Sequence, residues 1–480
     1  MSEKKARYIT TTLPYVNDEP HIGHALEFIQ TDTLARYWRL MGHEVFFNTG
    51  TDEHGQKIAD KAKEKGQDVQ EYVDYFAARF QKLITETFGL SVDAFIRTTD
   101  ANHVKAAQHI WKLCAENGDI YKKKYKGLYC VGCESFKQEK DLVDGKCPDH
   151  QKEPVEIEEE NYFFALSKYQ AYLEEYLSKP GVIEPEWRRV EALNFVKGGL
   201  EDFSISRETS RMSWGIPVPD DDAQVMYVWF DALTNYISTL GWPEDPDGNF
   251  KKFWEEGETM QTAGKDQIRF QSIMWQAMLK SAGVPATQKV FYHGFINSGG
   301  QKMSKSLGNT ISPFDMIDRY GKEASRYILL RHVHPVDDSD LTWEKMDEWY
   351  TANLVNGLGN LTARIMKMAE THLDGPIERP AVDSFDSEYI DALERYDFMS
   401  ACDHVWKKVQ DLDEKITETE PFKLVKEDKP AAQKIIAELA HDLYLIGRML
   451  YPIMPESNVI IKEAVLQNKK PENLFNRLPE

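Results

Sequence analysis

Arg7-Tyr8-Ile9-Thr10-Thr11-Thr12 and, a few residues on, His21-Ile22-Gly23-His24 decide the fold of this chain. The first run is rich in strand-forming residues. After it, Ile22, Leu26, Ile29 and Tyr37 recur at helical spacing until Gly42 supplies a stop, and Glu44 to Asn48 reads as a second strand. Strand, crossover helix and strand in that order form the βαβ unit of a parallel sheet, which sets His21 to His24 where the first strand gives way to the helix. A helix start attracts anions because its backbone N–H groups are unpaired and the helix dipole is positive there, and Asp18-Glu19-Pro20 supplies helix-start residues just ahead. Gly23 removes a side chain so that a nucleotide can come close. The two histidines share a helix face and can donate hydrogen bonds to phosphate oxygens as charge moves in a transition state. Taken alone, the tetrapeptide also fits two surface histidines at an ordinary helix start.

A second signature removes that ambiguity. Val290 to Ile296 is strand-like and leads through Asn297-Ser298-Gly299-Gly300 into Lys302-Met303-Ser304-Lys305-Ser306 and then Gly308. Glycines on both sides predict a mobile loop that closes over a ligand, and Lys302 and Lys305 offer two ammonium groups to a triphosphate. A lysine-rich loop on its own is usually only solvated. Paired with the histidine motif, it points to ATP chemistry, with both motifs meeting in one site despite their separation along the chain.

The chain has 480 residues and a formal charge of −21, from 58 basic and 79 acidic residues, enough length for two to four domains with substantial cores. This balance argues against a protein that coats nucleic acid nonspecifically, though a specific RNA partner needs only a local basic patch. No stretch approaches the ~18 apolar residues of a membrane span, and Met-Ser-Glu-Lys-Lys is followed by no apolar run, so a cytoplasmic protein without a membrane partner is expected. Of the five cysteines, Cys114 and Cys402 read as small core residues.

The other three cysteines form Cys130-Val131-Gly132-Cys133 and Cys147-Pro148-Asp149-His150. Two close ligand pairs, each able to sit in a tight turn, are what tetrahedral Zn²⁺ requires, and four protein ligands close the coordination sphere. One structural zinc on Cys130, Cys133, Cys147 and His150 is therefore expected; a redox role for the first pair is the weaker alternative.

The fold expected is α/β: a Rossmann-like parallel sheet split by a zinc-bearing insertion and followed by an all-α helical bundle. Residues 1–117 and 225–325 are the two halves of the catalytic domain, 118–224 the insertion, 326–349 a linker and 350–480 the bundle. The insertion holds the acidic stretch Glu153 to Glu160 and the turn-rich Trp214 to Pro219. In the bundle, Met346, Tyr350, Leu354, Leu358, Leu361, Ile365 and Met368 mark one long amphipathic helix, and Ile435, Leu439, Leu443, Ile446 and Leu450 another.

These residues resemble the class I aminoacyl-tRNA synthetases, and within them the methionyl branch, over essentially the whole chain. Leu13-Pro14-Tyr15-Val16-Asn17, the histidine motif, Gly50-Thr51-Asp52-Glu53-His54-Gly55, Val228-Trp229-Phe230-Asp231-Ala232-Leu233, Gly264-Lys265-Asp266, His293-Gly294 and the lysine/serine loop stand in that family's order. The single zinc knuckle is similar to one of the family's zinc arrangements. The resemblance implies activation of methionine by ATP, accompanied by Mg²⁺, to methionyl-adenylate, then transfer to the 3′ end of tRNA(Met). It puts His21, His24, Lys302 and Lys305 on the phosphates, with Asp266 at the ATP ribose and Gly23 and Gly294 close to the nucleotide. Leu13, Tyr15, Trp229, Ala232 and Tyr236 would surround the methionine side chain and Asp52 pair its ammonium. A polarizable thioether suits aromatic walls, and a carboxylate suits the cation.

Two positions depart from the family. After Asp266 it commonly has an apolar residue and, four positions later, a histidine; here these are Gln267 and Gln271, and an amide cannot carry an imidazole's proton. At the anticodon the resemblance implies Asn360, Arg364 and Phe422, where tryptophan is frequent in place of the phenylalanine; splayed bases need an aromatic face and edge partners. A synthetase for another apolar amino acid and a noncatalytic tRNA-binding relative are the alternatives. The short insertion disfavours the first and the two intact ATP motifs the second. Without an appended dimerising domain after the bundle, a monomer is expected.

Overall fold

Parallel pairing joins Ala6–Thr10 to Glu44–Thr51 on one side and to Glu258–Gly264 on the other. The computed structural model in which these pairings are seen describes residues 4–130, 135–137, 139–148, 151–303, 310–380 and 384–479. The six-stranded sheet runs in the order Ala94–Arg97, Glu44–Thr51, Ala6–Thr10, Glu258–Gly264, Lys289–His293, Ile183–Glu184. The chain fills one side of the first strand and then returns to fill the other. The reversal falls between Ala6–Thr10 and Glu258–Gly264, and ligands of such sheets bind outside the carboxyl ends of the strands at that point. Leu13 and Tyr15 follow Thr10, Asp52 follows Thr51, and Asp266 follows Gly264. The α/β reading with a parallel sheet is therefore met.

Internal packing divides the chain into two units, Met1–Pro20 with His43–Glu86 and Val92–Tyr292, and His21–Gly42 with Thr87–Ser91 and His293–Glu480. The first unit is built on the sheet and on an aromatic-rich core that includes Tyr8, Trp111, Phe230, Trp254 and Trp275. Tyr8 and Trp275 both lie near Trp254, at ring separations of 6.0 and 6.3 Å.

Residues 118–224 supply a four-stranded sheet in the order Ser135–Lys137, Ile120–Cys130, Val155–Phe164, Phe203–Ser204. They also send Ile183–Glu184 back to the edge of the main sheet, parallel to Lys289–His293. The acidic stretch is mostly strand. Its register sets Glu160 opposite Lys124, and Lys122 reaches Asp221 at 2.8 Å and Glu160 at 3.9 Å. Opposite charges across a strand pair stabilise it, which lets so acidic a run form a ladder.

The second unit opens with the expected crossover helix, Ile22–Leu40. Asp32 anchors it. The buried carboxylate lies 2.7 Å from both Arg36 and Arg326 and accepts from the backbone and hydroxyl of Ser91, while Arg326 also donates to the carbonyls of Ile453 and Pro452. Burial alone would raise this carboxyl; Arg326 and Arg36 outweigh it and hold the group below its ordinary value.

The long amphipathic helix exists as three abutting helical segments, Trp343–Trp349, Tyr350–Gly359 and Asn360–His372, the middle one π-helical. Met346, Tyr350, Leu354 and Leu358 are buried at strict intervals of four. In a 3.6-residue turn such spacing drifts around the helix, and the wider π turn takes up the drift. Phe398–Thr419, Lys429–Met449 and Pro455–Gln467 are the other main helices of the bundle. Cys114 and Cys402 are core residues, as expected, and burial pushes the Cys114 thiol up to about 12.

Candidate active site

His21 is the N-cap of its helix. Its Nδ1 accepts from the backbone of Gly23 at 3.1 Å, and its own N–H donates to Nδ1 of His24 at 3.3 Å, a reciprocal capping box made by two histidines. The rings stack at 3.6 Å. The cap is His21 itself, whereas Glu19, just upstream, pairs with Arg79 at 2.9 Å. A Cβ on Gly23 would come within 3.0 Å of the His21 ring, so glycine serves the cap as well as any ligand. Because both Nδ1 atoms accept, the neutral rings carry their hydrogens on Nε2. Burial, then the neighbouring His21 and His293, lower the His24 pKa well below its ordinary value. At neutral pH His24 is thus an uncharged donor. His293, in turn, lies 2.9 Å from Glu27.

The run read as one strand from Val290 to Ile296 is two. It breaks at Gly294, where a Cβ would sit 2.3 Å from the backbone of Asp337. Ile296–Ser298 then pairs with Ser339–Asp340 and with Gln301–Lys302. Gly299 and Gly300 form the two-residue turn of this hairpin, with φ of 62° and 73°, and Gly300 donates to Asp340 at 2.7 Å. Lys302 ends the hairpin; Lys305 lies outside the described residues.

In the first unit, backbone pairing builds the amino-acid side of the site. Asp52 N–H donates to Pro14 at 2.9 Å and Val16 N–H to Asp52 at 3.1 Å, which sets Tyr15 beside Asp52 in register with Leu13 just upstream. Asp52 is buried, Leu13 and Tyr15 half-buried. Val228–Leu233 carries Trp229 and Ala232, and Asn235–Ser238 carries Tyr236. Trp229 stacks on Phe270 at 3.8 Å, and buried Gln271 donates to the Tyr236 hydroxyl at 2.5 Å. Phe270 and Gln271 are neighbours in a π turn, Phe270–Met274, and so reach two of the assigned aromatics at once. Asp266 is exposed in the short turn after Gly264 and accepts from Gln267 at 3.0 Å.

A polar cluster that sequence reading leaves without a role lies among these elements. Asp231, fully buried, has one carboxylate oxygen 2.7 Å from His54 Nδ1 and the other 2.7 Å from His103 Nε2. Burial raises this carboxyl, but the two imidazoles outweigh burial and hold it below its ordinary value. His54 and Asp231 stand inside quoted motifs. His103 has no local signal at all.

Cys130 ends a strand, and Cys147 sits in a tight turn where Gln151 N–H donates to its carbonyl at 2.8 Å; both are buried. Cys133 and His150 lie outside the described residues. Among the described residues no group of three or more His, Cys, Asp or Glu side chains is placed to hold a metal. In the bundle, Asn360 is exposed at a helical turn from Arg364, Arg364 is ion-paired with Asp413, and Phe422 is 47% exposed.

The family of class I tRNA synthetases described as "tRNA synthetases class I (M)" matches residues 7–156 and 140–366. A methionine–tRNA ligase of Caldanaerobacter subterraneus subsp. tengcongensis is 42% identical over 95% of this chain and 73% of its own length. One from Rhizobium meliloti is 40% identical over 95% of this chain and 91% of its own length. Among solved structures, Mycobacterium tuberculosis methionyl-tRNA synthetase in complex with methionyl-adenylate superposes with a TM-score of 0.88 at 35% identity, covering 95% of this chain and 93% of that one.

Proposed function

The chain belongs to the methionine–tRNA ligases of the class I tRNA synthetases, and from that premise we propose how its residues divide the work. The activity is ATP-dependent activation of methionine followed by charging of tRNA. In the first half-reaction a carboxylate oxygen of methionine attacks the α-phosphorus of ATP, the bond to the bridging oxygen breaks and pyrophosphate leaves. In the second, a ribose hydroxyl at the tRNA 3′ end attacks the carbonyl carbon, its proton is lost and AMP departs.

The proposal gives the phosphates to His21, His24, Lys302 and Lys305, with Mg²⁺ arriving on ATP. The stacked histidine pair at the helix start, with His24 kept neutral by burial, supports this assignment: an imidazole N–H can stabilise charge as it shifts toward pyrophosphate without having to lose a proton. Gly23 and Gly294 let backbone approach the nucleotide, and Asp266 takes the ribose. Asp52 pairs the methionine ammonium, and Leu13, Tyr15, Trp229, Ala232 and Tyr236 enclose the side chain; the register of Tyr15 beside Asp52 supports it. Asn360, Arg364 and Phe422 read the anticodon of tRNA(Met), serving initiation and elongation, and the enzyme works as a cytoplasmic monomer. Among the described residues no helix is long and apolar enough to cross a membrane.

Cys130, Cys133, Cys147 and His150 hold one structural zinc in this proposal. Burial of the two described thiols, one at a strand end and one in a tight turn, fits that donor set. The metal would order the insertion and take no part in either chemical step. Elemental analysis of protein purified without chelators should find one zinc per chain, and metal-free protein would refute the site.

The observation that carries the catalytic assignment is the histidine capping box. Its test is ATP–pyrophosphate exchange with each of the twenty amino acids and no tRNA. Methionine should support exchange far better than leucine or isoleucine, and equal activation by leucine would remove the methionine pocket.

A further inference from the structure

We infer that Asp231 is a positioning residue for methionine: its buried carboxylate clamps the Asp52 loop, through His54, to the helix that carries Trp229 and Ala232, with His103 as the second arm. The inference rests on the assignment of Asp52, Trp229, Ala232 and Tyr236 to the methionine site.

Members of the cluster are sequence neighbours of assigned methionine residues. His54 is two residues from Asp52, and Asp231 stands between Trp229 and Ala232. The far nitrogen of His103 lies 3.0 Å from the Ser238 hydroxyl, two residues beyond Tyr236. The cluster thus joins the segments that bear the ammonium partner and the aromatic wall, with His103 contributed by the helix Ala101–Glu116. The other side of the same loop is held by Trp214, whose indole donates to the Glu53 carbonyl at 2.6 Å and whose carbonyl accepts from Gly55 at 3.1 Å.

The loop from Thr51 to Gly55 is held further at Glu53, whose carboxylate accepts from Arg97, Thr99 and Thr51 and whose N–H donates to Thr98, so directional bonds fix a segment with few apolar side chains. An ionised carboxylate can only accept, so the imidazole nitrogens facing Asp231 both carry hydrogens. Burying a carboxylate is costly unless it is fully hydrogen-bonded, and well-packed apolar residues would hold a core at least as well. A cluster of this cost, between residues assigned to one substrate, fits positioning better than bulk stability.

Asp231→Asn is nearly isosteric but offers one acceptor and one donor, so one imidazole must either lose its bond or change tautomer to keep it, and the clamp is altered in both cases. Pyrophosphate exchange should show the methionine KM raised about tenfold, with kcat at saturating methionine and the ATP KM little changed. His54→Asn keeps an N–H near Nδ1 and His103→Gln keeps one near Nε2; both should stay close to wild type, whereas His54→Leu and His103→Leu should reproduce the methionine defect. Equal losses in methionine KM, ATP KM and kcat, tracking a lowered melting temperature, would make the cluster merely structural and overturn the inference. Should Asp231→Asn not fold, the His54→Asn and His54→Leu pair decides: no difference between them overturns it. Asp52→Asn separates the two levels. A raised methionine KM there with none in Asp231→Asn sinks the clamp alone, and an unchanged KM in both sinks the methionine assignment beneath it.

Discussion

The residues assigned to methionine and those assigned to the anticodon are held in opposite ways. Asp52, Ala232 and Tyr236 are buried, and backbone register, a π turn and a buried carboxylate fix the segments that bear them. Asn360 and Phe422 are exposed, and Arg364 is occupied by an ion pair with Asp413 whose partners are both well exposed. A small ligand is selected by a geometry that exists before it arrives, so reorganisation is avoided at the moment of reaction. Splayed RNA bases are met by side chains that exchange water or a weak partner for a base edge. Substitutions on the first surface should therefore register in adenylate formation, and those on the second in tRNA charging alone.

The largest effect is expected at Asp52. Asp52→Asn removes one partner of a buried charge pair and should raise the methionine KM in pyrophosphate exchange by the equivalent of about 2–5 kcal/mol. A change under twofold would place the ammonium elsewhere and erase the contrast. If the proposed phosphate role holds, Lys305→Ala should slow single-turnover adenylate formation by ~2–4 kcal/mol while leaving methionine affinity near wild type, because the ammonium would act on charge that develops in the transition state. An unaltered single-turnover rate would show that the lysine/serine loop is not catalytic.

Arg364→Ala should spare exchange and cost charging about 1–3 kcal/mol, with relaxed preference for the methionine anticodon over an altered one. Wild-type efficiency and preference would make Arg364 a solvated surface residue. The smallest effect belongs to Asp413→Ala. An exposed ion pair contributes about 0.2–1 kcal/mol, so freeing Arg364 should shift charging by less than ~1 kcal/mol. A larger shift in either direction would mean that the anticodon face is as preorganised as the methionine side.

What the sequence shows of this molecule is what is local. The strand, helix and strand from Ala6 to Thr51 announce themselves because each face repeats at its own period. The break at Gly294 is hidden, because the backbone packed against it, that of Asp337, comes from far along the chain. The glutamate strand is hidden for the same reason: its lysine partners belong to another strand, and a run of charge alone assigns no element. Among site residues, the histidine and lysine/serine signatures are short and contiguous. Asp231 is visible as a motif letter but not as a role, since its partners are 177 and 128 residues away. His103 sits on an ordinary amphipathic helix, and nothing near it marks it out.

The lysine strand facing the glutamate strand has a consequence for how this acidic protein meets RNA. Lys122 to Lys124 would count, by composition, as cations ready to displace ions from a phosphate backbone. Lys122 is instead engaged by Asp221 and Glu160, and Lys124 lies across from Glu160. A cation already paired with carboxylates releases fewer counterions when RNA binds, so this strand should add less to the slope of log affinity against log salt than its lysines suggest. Any tRNA contact with this strand should therefore be more salt-tolerant than its run of lysines suggests.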